Sequence, residues 1–211
     1  MKQFDAFILM GGRSSRLGRD KAFVKLGDET LAERAARIIA TALDSQRLAM
    51  VANSLQFAMD AIVGDLPFIF DLHEGRGPIG GLHAALADAR TPWIFVLACD
   101  YPFVSPELIH LLEARVNDEA GVIVPEQPDG RVQPLCAFYK VATARRVVEA
   151  ILGRPRVPPP MHEIVSVLDP SVLPHRDYSH LENADSFFIN INTPDDLARA
   201  RAEDGKLSGE K

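Results

Sequence analysis

The fold is decided by the stretch FDAFILMGG, residues 4–12, and by the order of the segments that follow it. Residues 4–10 form an apolar run with a single acid, which is typical of a buried strand in a parallel sheet, and the double glycine ends that run. Residues 31–43 carry apolar side chains at helical spacing and predict an amphipathic helix. A second strand is predicted at 47–52, so the chain begins with a strand, a loop, a helix and a strand.

The same alternation continues along the chain. Further strands are predicted at 68–72, 93–99, 122–125, 134–139 and 187–191, and further helices at 79–89, 106–116, 143–152 and from 194 onward. Alternating strands and helices favour an α/β fold, with a mostly parallel, Rossmann-like sheet between two helical layers. We expect one domain at 1–203, with a stiff, proline-rich surface loop at 153–160, and a charged tail at 204–211.

Composition narrows the classes of protein that this chain can represent. With 211 residues it fits one α/β domain, and its net charge of -6 argues against a nucleic-acid backbone as the main partner. Cys99 and Cys136 lie in apolar runs, which is typical of buried, reduced thiols, and neither forms a zinc spacing with a histidine. The first apolar run is too short for a signal peptide or a membrane span, so we expect a soluble, cytoplasmic protein.

A basic, glycine-rich loop follows the first predicted strand. Gly11 and Gly12 let the backbone approach a phosphate and direct N–H groups toward it. Four cations follow within nine residues: Arg13, Arg16, Arg19 and Lys21. Their charge and reach match a triphosphate, although the spacing is that of neither the P-loop nor the dinucleotide-binding fingerprint. A solvated basic turn is the structural alternative.

Polar side chains are predicted at the same edge of the sheet. Asp100 follows the strand at 93–99, and a carboxylate held there by a proline turn is either a Mg²⁺ ligand or a turn cap. Asp71 lies at the end of the strand predicted at 68–72, and Asn53 follows the strand at 47–52, where it either contacts a purine edge or forms a turn. The glycine-rich stretch 75–81 enters a helix whose N-terminus can receive an anion, or it merely connects two elements. Since parallel strands end at one edge, these groups should converge.

In combination these motifs resemble the molybdenum cofactor guanylyltransferases, the MobA-like nucleotidyltransferases. Residues 9–21 are similar to the family's L-A-G-G-x-S-x-R-M-G-x-D-K. The resemblance runs from Phe4 to about Arg201 and continues through Asn53, Asp71, 77–81, 99–102, 133–135 and 190–194. Two positions differ, since Met10 and Leu17 stand where the family has alanine and methionine. A Met10 side chain directed at the base would affect which nucleotide base the protein accepts, whereas a side chain directed into the core would not.

The resemblance implies a single-domain nucleotidyltransferase that transfers GMP from GTP to the phosphate of molybdopterin and releases pyrophosphate, with Mg²⁺ as cofactor. It implies that Asp100 binds the metal and that Arg16 and Lys21 act on the phosphates as further catalytic residues. The nucleotide- and cofactor-binding residues that it implies are Leu9, Met10, Gly11, Gly12, Lys21, Asn53, Asp71, Gly77, Pro78, Gly80, Asn190 and Asn192. Arg154 and Arg156 lie outside the family's motifs and are our own candidates for the pterin phosphate.

Three other functions stay open at this point. They are a cytidylyltransferase of the same cofactor, a sugar-phosphate nucleotidyltransferase, and a non-catalytic adaptor that delivers cofactor. The first loop alone is shared with cytidylyl- and sugar-nucleotidyltransferases, whereas Asp20-Lys21 and the Asn-x-Asn-Thr-Pro at 190–194 favour the guanylyl branch. The partners implied are small-molecule substrates and proteins of molybdenum cofactor biosynthesis and molybdoenzyme delivery, with no nucleic acid and no membrane.

Overall fold

The computed structural model describes residues 3–10, 21–52, 65–71, 73, 75–154 and 157–209. The strands are β1 (Asp5–Leu9), β2 (Lys25–Leu26), β3 (Glu29–Thr30), β4 (Arg47–Ala52), β5 (Phe68–Phe70), β6 (Trp93–Ala98), β7 (Val122–Pro125), β8 (Cys136–Lys140) and β9 (Pro170–Leu173). The helices are α1 (Leu31–Ala42), α2 (Pro78–Asp88), α3 (Pro106–Ala114), α4 (Val141–Leu152), α5 (Met161–Ser166) and α6 (Pro194–Gly209). Short 3₁₀ helices occupy Lys21–Phe23, His175–Asp177 and Ala184–Ser186.

Seven strands form the central sheet in the order β5-β4-β1-β6-β8-β7-β9, while β2 and β3 pair as a separate ribbon. Within the seven-stranded sheet all pairs are parallel except the two that β8 makes with β6 and β7. The predicted mostly parallel α/β sheet is therefore confirmed. Because β8 runs in reverse, the residues that precede it lie at the same edge as the residues that follow β6.

Two apolar clusters cover the two faces of this sheet. Alternate residues of β1 divide between them, since Ala6 and Ile8 belong to one cluster and Phe7 and Leu9 to the other. Helices α1, α3 and α6 contribute to the first cluster, and α2, α4 and α5 to the second. The arrangement is the expected three-layer sandwich. No helix among the described residues is long and apolar enough to cross a membrane.

Two helix caps that the sequence predicts are present in the structure. Ser105 accepts a hydrogen bond from the Leu108 amide at the start of α3 (3.2 Å), as predicted. Thr193 accepts one from the Asp196 amide at the start of α6 (3.1 Å), which is also as predicted. Helix α6 extends through residues 204–209, a stretch that we expected to be a tail.

The predicted strand at 187–191 is wrong. Phe187 follows the 3₁₀ helix Ala184–Ser186 without pairing to the sheet, and its side chain and that of Ile191 are buried in the first apolar cluster. The apolar run thus reflects a packed connection rather than a strand. The last strand is instead β9, which pairs with β7 at the edge of the sheet and begins with Pro170, where a missing N–H is tolerated.

Candidate active site

The carboxyl ends of the parallel strands bring the described candidates to one edge of the sheet. Asp71 follows β5, and its amide donates to the Ala52 carbonyl at the end of β4 (2.9 Å). Asp100 lies two residues beyond the end of β6, where the Cys99 amide donates to the Leu9 carbonyl of β1 (3.2 Å). Four further candidates, Gly11, Gly12, Arg16 and Asn53, lie outside the described residues.

A polar cluster forms around Asp100. Lys21 is 9% exposed, and its Nζ lies 3.3 Å from Asp100 Oδ2 and also donates to Asn192 Oδ1. The Asn192 side-chain amide donates in turn to Asn190 Oδ1 (2.7 Å). Since the Ile191 amide donates to the Asp100 carbonyl (3.3 Å), a main-chain bond holds residues 190–192 against the end of β6. The structure therefore brings together both asparagines, the lysine and the carboxylate.

The Asp100 carboxyl lies in an environment that disfavours its charge. Burial raises its pKa above the ordinary value, and the positive charge of Lys21 opposes this effect without cancelling it. Asp100 Oδ2 faces Lys21, whereas Oδ1 is buried and makes no hydrogen bond within the described part of the chain. A buried carboxylate oxygen without a partner is a position that a cation would stabilise.

This donor set fits a Mg²⁺ ion that takes most of its ligands from substrate. The described residues contain no group of three or more histidine, cysteine or acidic side chains able to hold a metal. Mg²⁺ is commonly bound through one or two carboxylates, with phosphate oxygens and water completing its octahedron. Asp100 can supply one such carboxylate.

Asp71 lies on the side of Asp100 that is away from β8, and it packs against the first turn of α2. Its Oδ1 accepts a hydrogen bond from the His73 amide (2.7 Å). A Cβ placed on Gly80 would lie 2.3 Å from Asp71 Oδ2, so only glycine permits this approach. Gly77, with φ +69, begins the helix and provides no side-chain cap. Pro78 follows as the first helical residue, and both Gly77 and Pro78 are exposed. The first turn of α2 can therefore receive a polar or anionic ligand.

Leu9 and Met10 have buried side chains, with exposed fractions of 4% and 2%. Leu9 lies in the second apolar cluster, while Met10 lies in the first together with Ala98 and Cys99. Only main-chain atoms of these two residues can face the edge of the sheet. The Met10 side chain is therefore directed into the core, which decides between the two orientations that the sequence left open.

A cavity of about 690 Å³ adjoins the polar cluster. Asn190 belongs both to the polar cluster and to the lining of the cavity. The rest of the lining includes Tyr101, Arg131, Gln133, Met161 and Phe188. The cavity lies at the same edge as Asp100 because β8 is reversed, which brings the segment before that strand beside the end of β6.

Apart from Asn190, the residues of this cavity were assigned no role from the sequence. The Gln-Pro-Leu at 133–135 and the Tyr101 after Asp100 both lay within the family resemblance, and this resemblance could have indicated a functional role for them. Arg154, our candidate for the pterin phosphate, is exposed and does not line the cavity; its carbonyl accepts a hydrogen bond from Arg76 Nη2 (3.4 Å). Arg156 lies outside the described residues.

The chain is similar to known proteins over most of its length. The model of the MobA-like NTP transferase domain matches residues 6–167. A probable molybdenum cofactor guanylyltransferase of Pelotomaculum thermopropionicum is 31% identical over 201 residues, which are 95% of this chain and 93% of the relative. Among solved structures, molybdopterin-guanine dinucleotide biosynthesis protein A of Archaeoglobus fulgidus is 27% identical with a TM-score of 0.77, covering 96% of this chain and 100% of that one.

The fold extends beyond these relatives. The 2-C-methyl-D-erythritol 4-phosphate cytidylyltransferase of Thermus thermophilus is 19% identical with a TM-score of 0.67, covering 97% of this chain and 100% of that one. At that identity the likeness concerns the fold alone.

Proposed function

The chain belongs to the MobA-like NTP transferase family and is a nucleotidyltransferase, and we propose that it transfers GMP from GTP to the phosphate of molybdopterin. The observation that carries this proposal is the position of Asp100 and Lys21. They lie between the first turn of α2, which suits a nucleotide, and a cavity of about 690 Å³, which suits a second substrate. Two sites that meet at one carboxylate are the layout that a transfer between two substrates requires.

The proposed reaction asks for little acid–base chemistry. An oxygen of the acceptor's phosphate, already anionic at neutral pH, forms a bond to the α-phosphorus, and the bond from that phosphorus to pyrophosphate breaks. Catalysis is then mainly positioning and neutralisation of charge. We assign Lys21 to the phosphates, because its ammonium is held at the edge by Asp100 and Asn192. Mg²⁺ bound to Asp100 would neutralise charge on the phosphate oxygens.

The nucleotide would occupy the α2 side of the cluster. We assign Asp71, Gly77, Pro78 and Gly80 to that side because Asp71 lies against the first turn of α2, and we assign Leu9 and Met10 to it on the family motif. The remaining assignments, to Gly11, Gly12, Arg16 and Asn53, rest on the family motif. GTP is our choice of nucleotide because the relatives are named guanylyltransferases, and proteins of molybdenum cofactor biosynthesis and delivery are our proposed partners on the same ground.

The test is a nucleotide screen with Mg²⁺ and molybdenum cofactor, read as pyrophosphate release. We expect release with GTP and much less with CTP, ATP or UTP. Equal or greater use of CTP would move the chain to the cytidylyl branch. Release with a sugar phosphate alone would indicate a sugar-phosphate nucleotidyltransferase.

A paired variant separates catalysis from delivery. Asp100→Ala should lower turnover by about 10²–10³-fold, because it removes a charge-bearing group aimed at the reacting phosphates. The matched control is Asp118→Ala, an exposed aspartate after α3, which should leave turnover unchanged. An adaptor that only binds cofactor would still deliver it at the normal rate in the Asp100 variant.

A further inference from the structure

The cavity beside Asp100 is lined by a side-chain amide that the proposed reaction does not use. Gln133 is 9% exposed and lines the cavity. Its Oε1 accepts a hydrogen bond from the Tyr101 hydroxyl (2.8 Å). Its Nε2 forms no hydrogen bond within the part of the chain that the structure describes. Because the Tyr101 hydroxyl is bonded to the amide oxygen, the N–H₂ group is the part of Gln133 that can donate to a ligand in the cavity.

Tyr101 determines which way this amide faces. Burial raises the pKa of the Tyr101 hydroxyl, and the neighbouring Asp100 carboxylate raises it further, so the hydroxyl keeps its proton and acts as a donor. Since it donates to Oε1, the Nε2 hydrogens of Gln133 are left for the cavity. The Tyr101 ring is itself packed edge-on against Phe188, with ring centroids 5.7 Å apart.

The main chain around Gln133 is equally constrained. Its amide donates to the Pro125 carbonyl at the end of β7 (2.9 Å), and its carbonyl accepts from the Cys136 amide at the start of β8 (3.1 Å). A donor held at both its side chain and its backbone is positioned before any ligand arrives. This is the condition under which one hydrogen bond discriminates between ligands.

The walls of the cavity indicate the class of ligand. Val132, Leu135, Met161 and Phe188 provide apolar surface, and the exposed Arg131 at the rim is ion-paired with Asp129 (2.7 Å). A volume of about 690 Å³ accommodates a multi-ring ligand. Gln127, His162 and Asn190 add polar groups to the lining, so the cavity offers both apolar surface for the face of a ring and polar groups for its edge, which suits a planar heterocycle that carries hydrogen-bonding atoms at its edge.

We propose that Gln133 determines acceptor specificity, with its Nε2 amide donating to a carbonyl oxygen or ring nitrogen of the acceptor's fused heterocycle. Tyr101 is a positioning residue that acts through Gln133. This inference rests on the proposed function, because it places the acceptor in the cavity next to Asp100.

The first measurement compares Michaelis constants of Gln133→Met and wild type. Loss of the donor should raise the KM for molybdenum cofactor about tenfold, which corresponds to one hydrogen bond, and leave the KM for GTP unchanged. Gln133→Glu should raise it further, since a carboxylate oxygen would then face the acceptor atom. An unchanged acceptor KM in Gln133→Met, or an equal rise in both KM values, would overturn the proposal.

The second measurement separates positioning from stability. Gln133→Met leaves the Tyr101 hydroxyl without its partner, so we expect a lower melting temperature. The double variant Tyr101→Phe/Gln133→Met should recover much of that temperature while its acceptor KM stays high. A merely structural Gln133 would instead recover its acceptor KM together with its stability. Tyr178→Phe, which removes the buried hydroxyl that donates to the Glu126 carbonyl, is the matched control and should leave acceptor KM unchanged.

A binding assay keeps this inference apart from the proposed function. Free 6-hydroxymethylpterin, followed by its own fluorescence, is titrated into wild type and Gln133→Met. If wild type releases no pyrophosphate with GTP and molybdenum cofactor, the proposed function fails. The titration then decides the inference alone, since weaker pterin binding by the variant supports it and equal binding overturns it.

Discussion

The close contact between Gly80 and Asp71 can be tested with two adjacent alanine substitutions. In Gly80→Ala the new Cβ would lie 2.3 Å from Asp71 Oδ2 and 2.7 Å from Oδ1. The carboxylate would have to retreat by about 0.7 Å merely to reach 3.0 Å, the shortest separation that real Cβ atoms show. That movement would strain the hydrogen bond from the His73 amide and shift the loop that leads into α2.

Gly81→Ala is the matched control on the same turn of the same helix. The atoms nearest to its Cβ would be the Leu9 methyl groups and a Val51 methyl group, at 3.5 Å and beyond, which is ordinary van der Waals contact. Replacing a helical glycine by alanine without a clash stabilises by about 0.5–1 kcal/mol. In a chain of this size each kcal/mol raises the melting temperature by about 2–4 °C, so we expect Gly81→Ala to melt at a higher temperature than wild type.

The two variants should separate in activity. We expect Gly80→Ala to lower kcat/KM for GTP by about 10- to 100-fold, because a displacement approaching 1 Å at a positioning residue has effects of that order. Its helical gain and the strained hydrogen bond should roughly offset each other in stability. Gly81→Ala should keep the wild-type kcat/KM, which is measured by pyrophosphate release. Equal activity of the two variants would refute the assignment of Asp71 and Gly80 to the nucleotide side.

Three further predictions follow from individual contacts. Met10→Ala should cost about 2–5 kcal/mol of unfolding free energy in urea titrations, as buried truncations do, while the ratio of GTP to CTP use stays unchanged; an altered ratio would place Met10 at the base. Asp100→Asn should have a higher melting temperature than wild type at neutral pH. The wild-type carboxyl has a raised pKa, so the stability that it contributes is present below the unfolded-state pKa and is lost as pH rises through the folded-state pKa. The difference in melting temperature should therefore shrink toward acid pH, and a lower melting temperature of the variant at pH 7 would contradict this. Asp204→Ala removes the 2.6 Å partner of Arg34 and should cost about 1–3 kcal/mol without affecting turnover; unchanged stability would indicate that the end of α6 contributes nothing.

Local signals were enough to predict much of the fold. The apolar runs of β1, β4 and β6 and the caps at Ser105 and Thr193 depend on residues close in sequence, so they could be identified without knowledge of the partner elements. The failures were non-local. An apolar connection at 187–191 has the composition of a strand, and only its packing shows that it does not pair with the sheet.

The direction of β8 was equally invisible to local patterns. A strand's apolar pattern is the same in either direction, so periodicity did not show that β8 reverses. Yet this reversal places Gln133 beside Tyr101 and creates the cavity next to Asp100. The acceptor side of the proposed site therefore depends on strand topology.

The chemical groups that we assign to the phosphates could be proposed from the sequence alone, because a basic glycine loop and an acid at the end of a buried strand are both suited to that role. Their mutual geometry was decided by the tertiary structure. Lys21 and Asp100 are 79 residues apart in the chain, and their side chains meet just beyond the end of β6, which pairs with β1 in the sheet. The orientation of the Met10 side chain and of the Gln133 amide could also be read only from the tertiary structure. What a side chain packs against depends on elements that are distant in sequence.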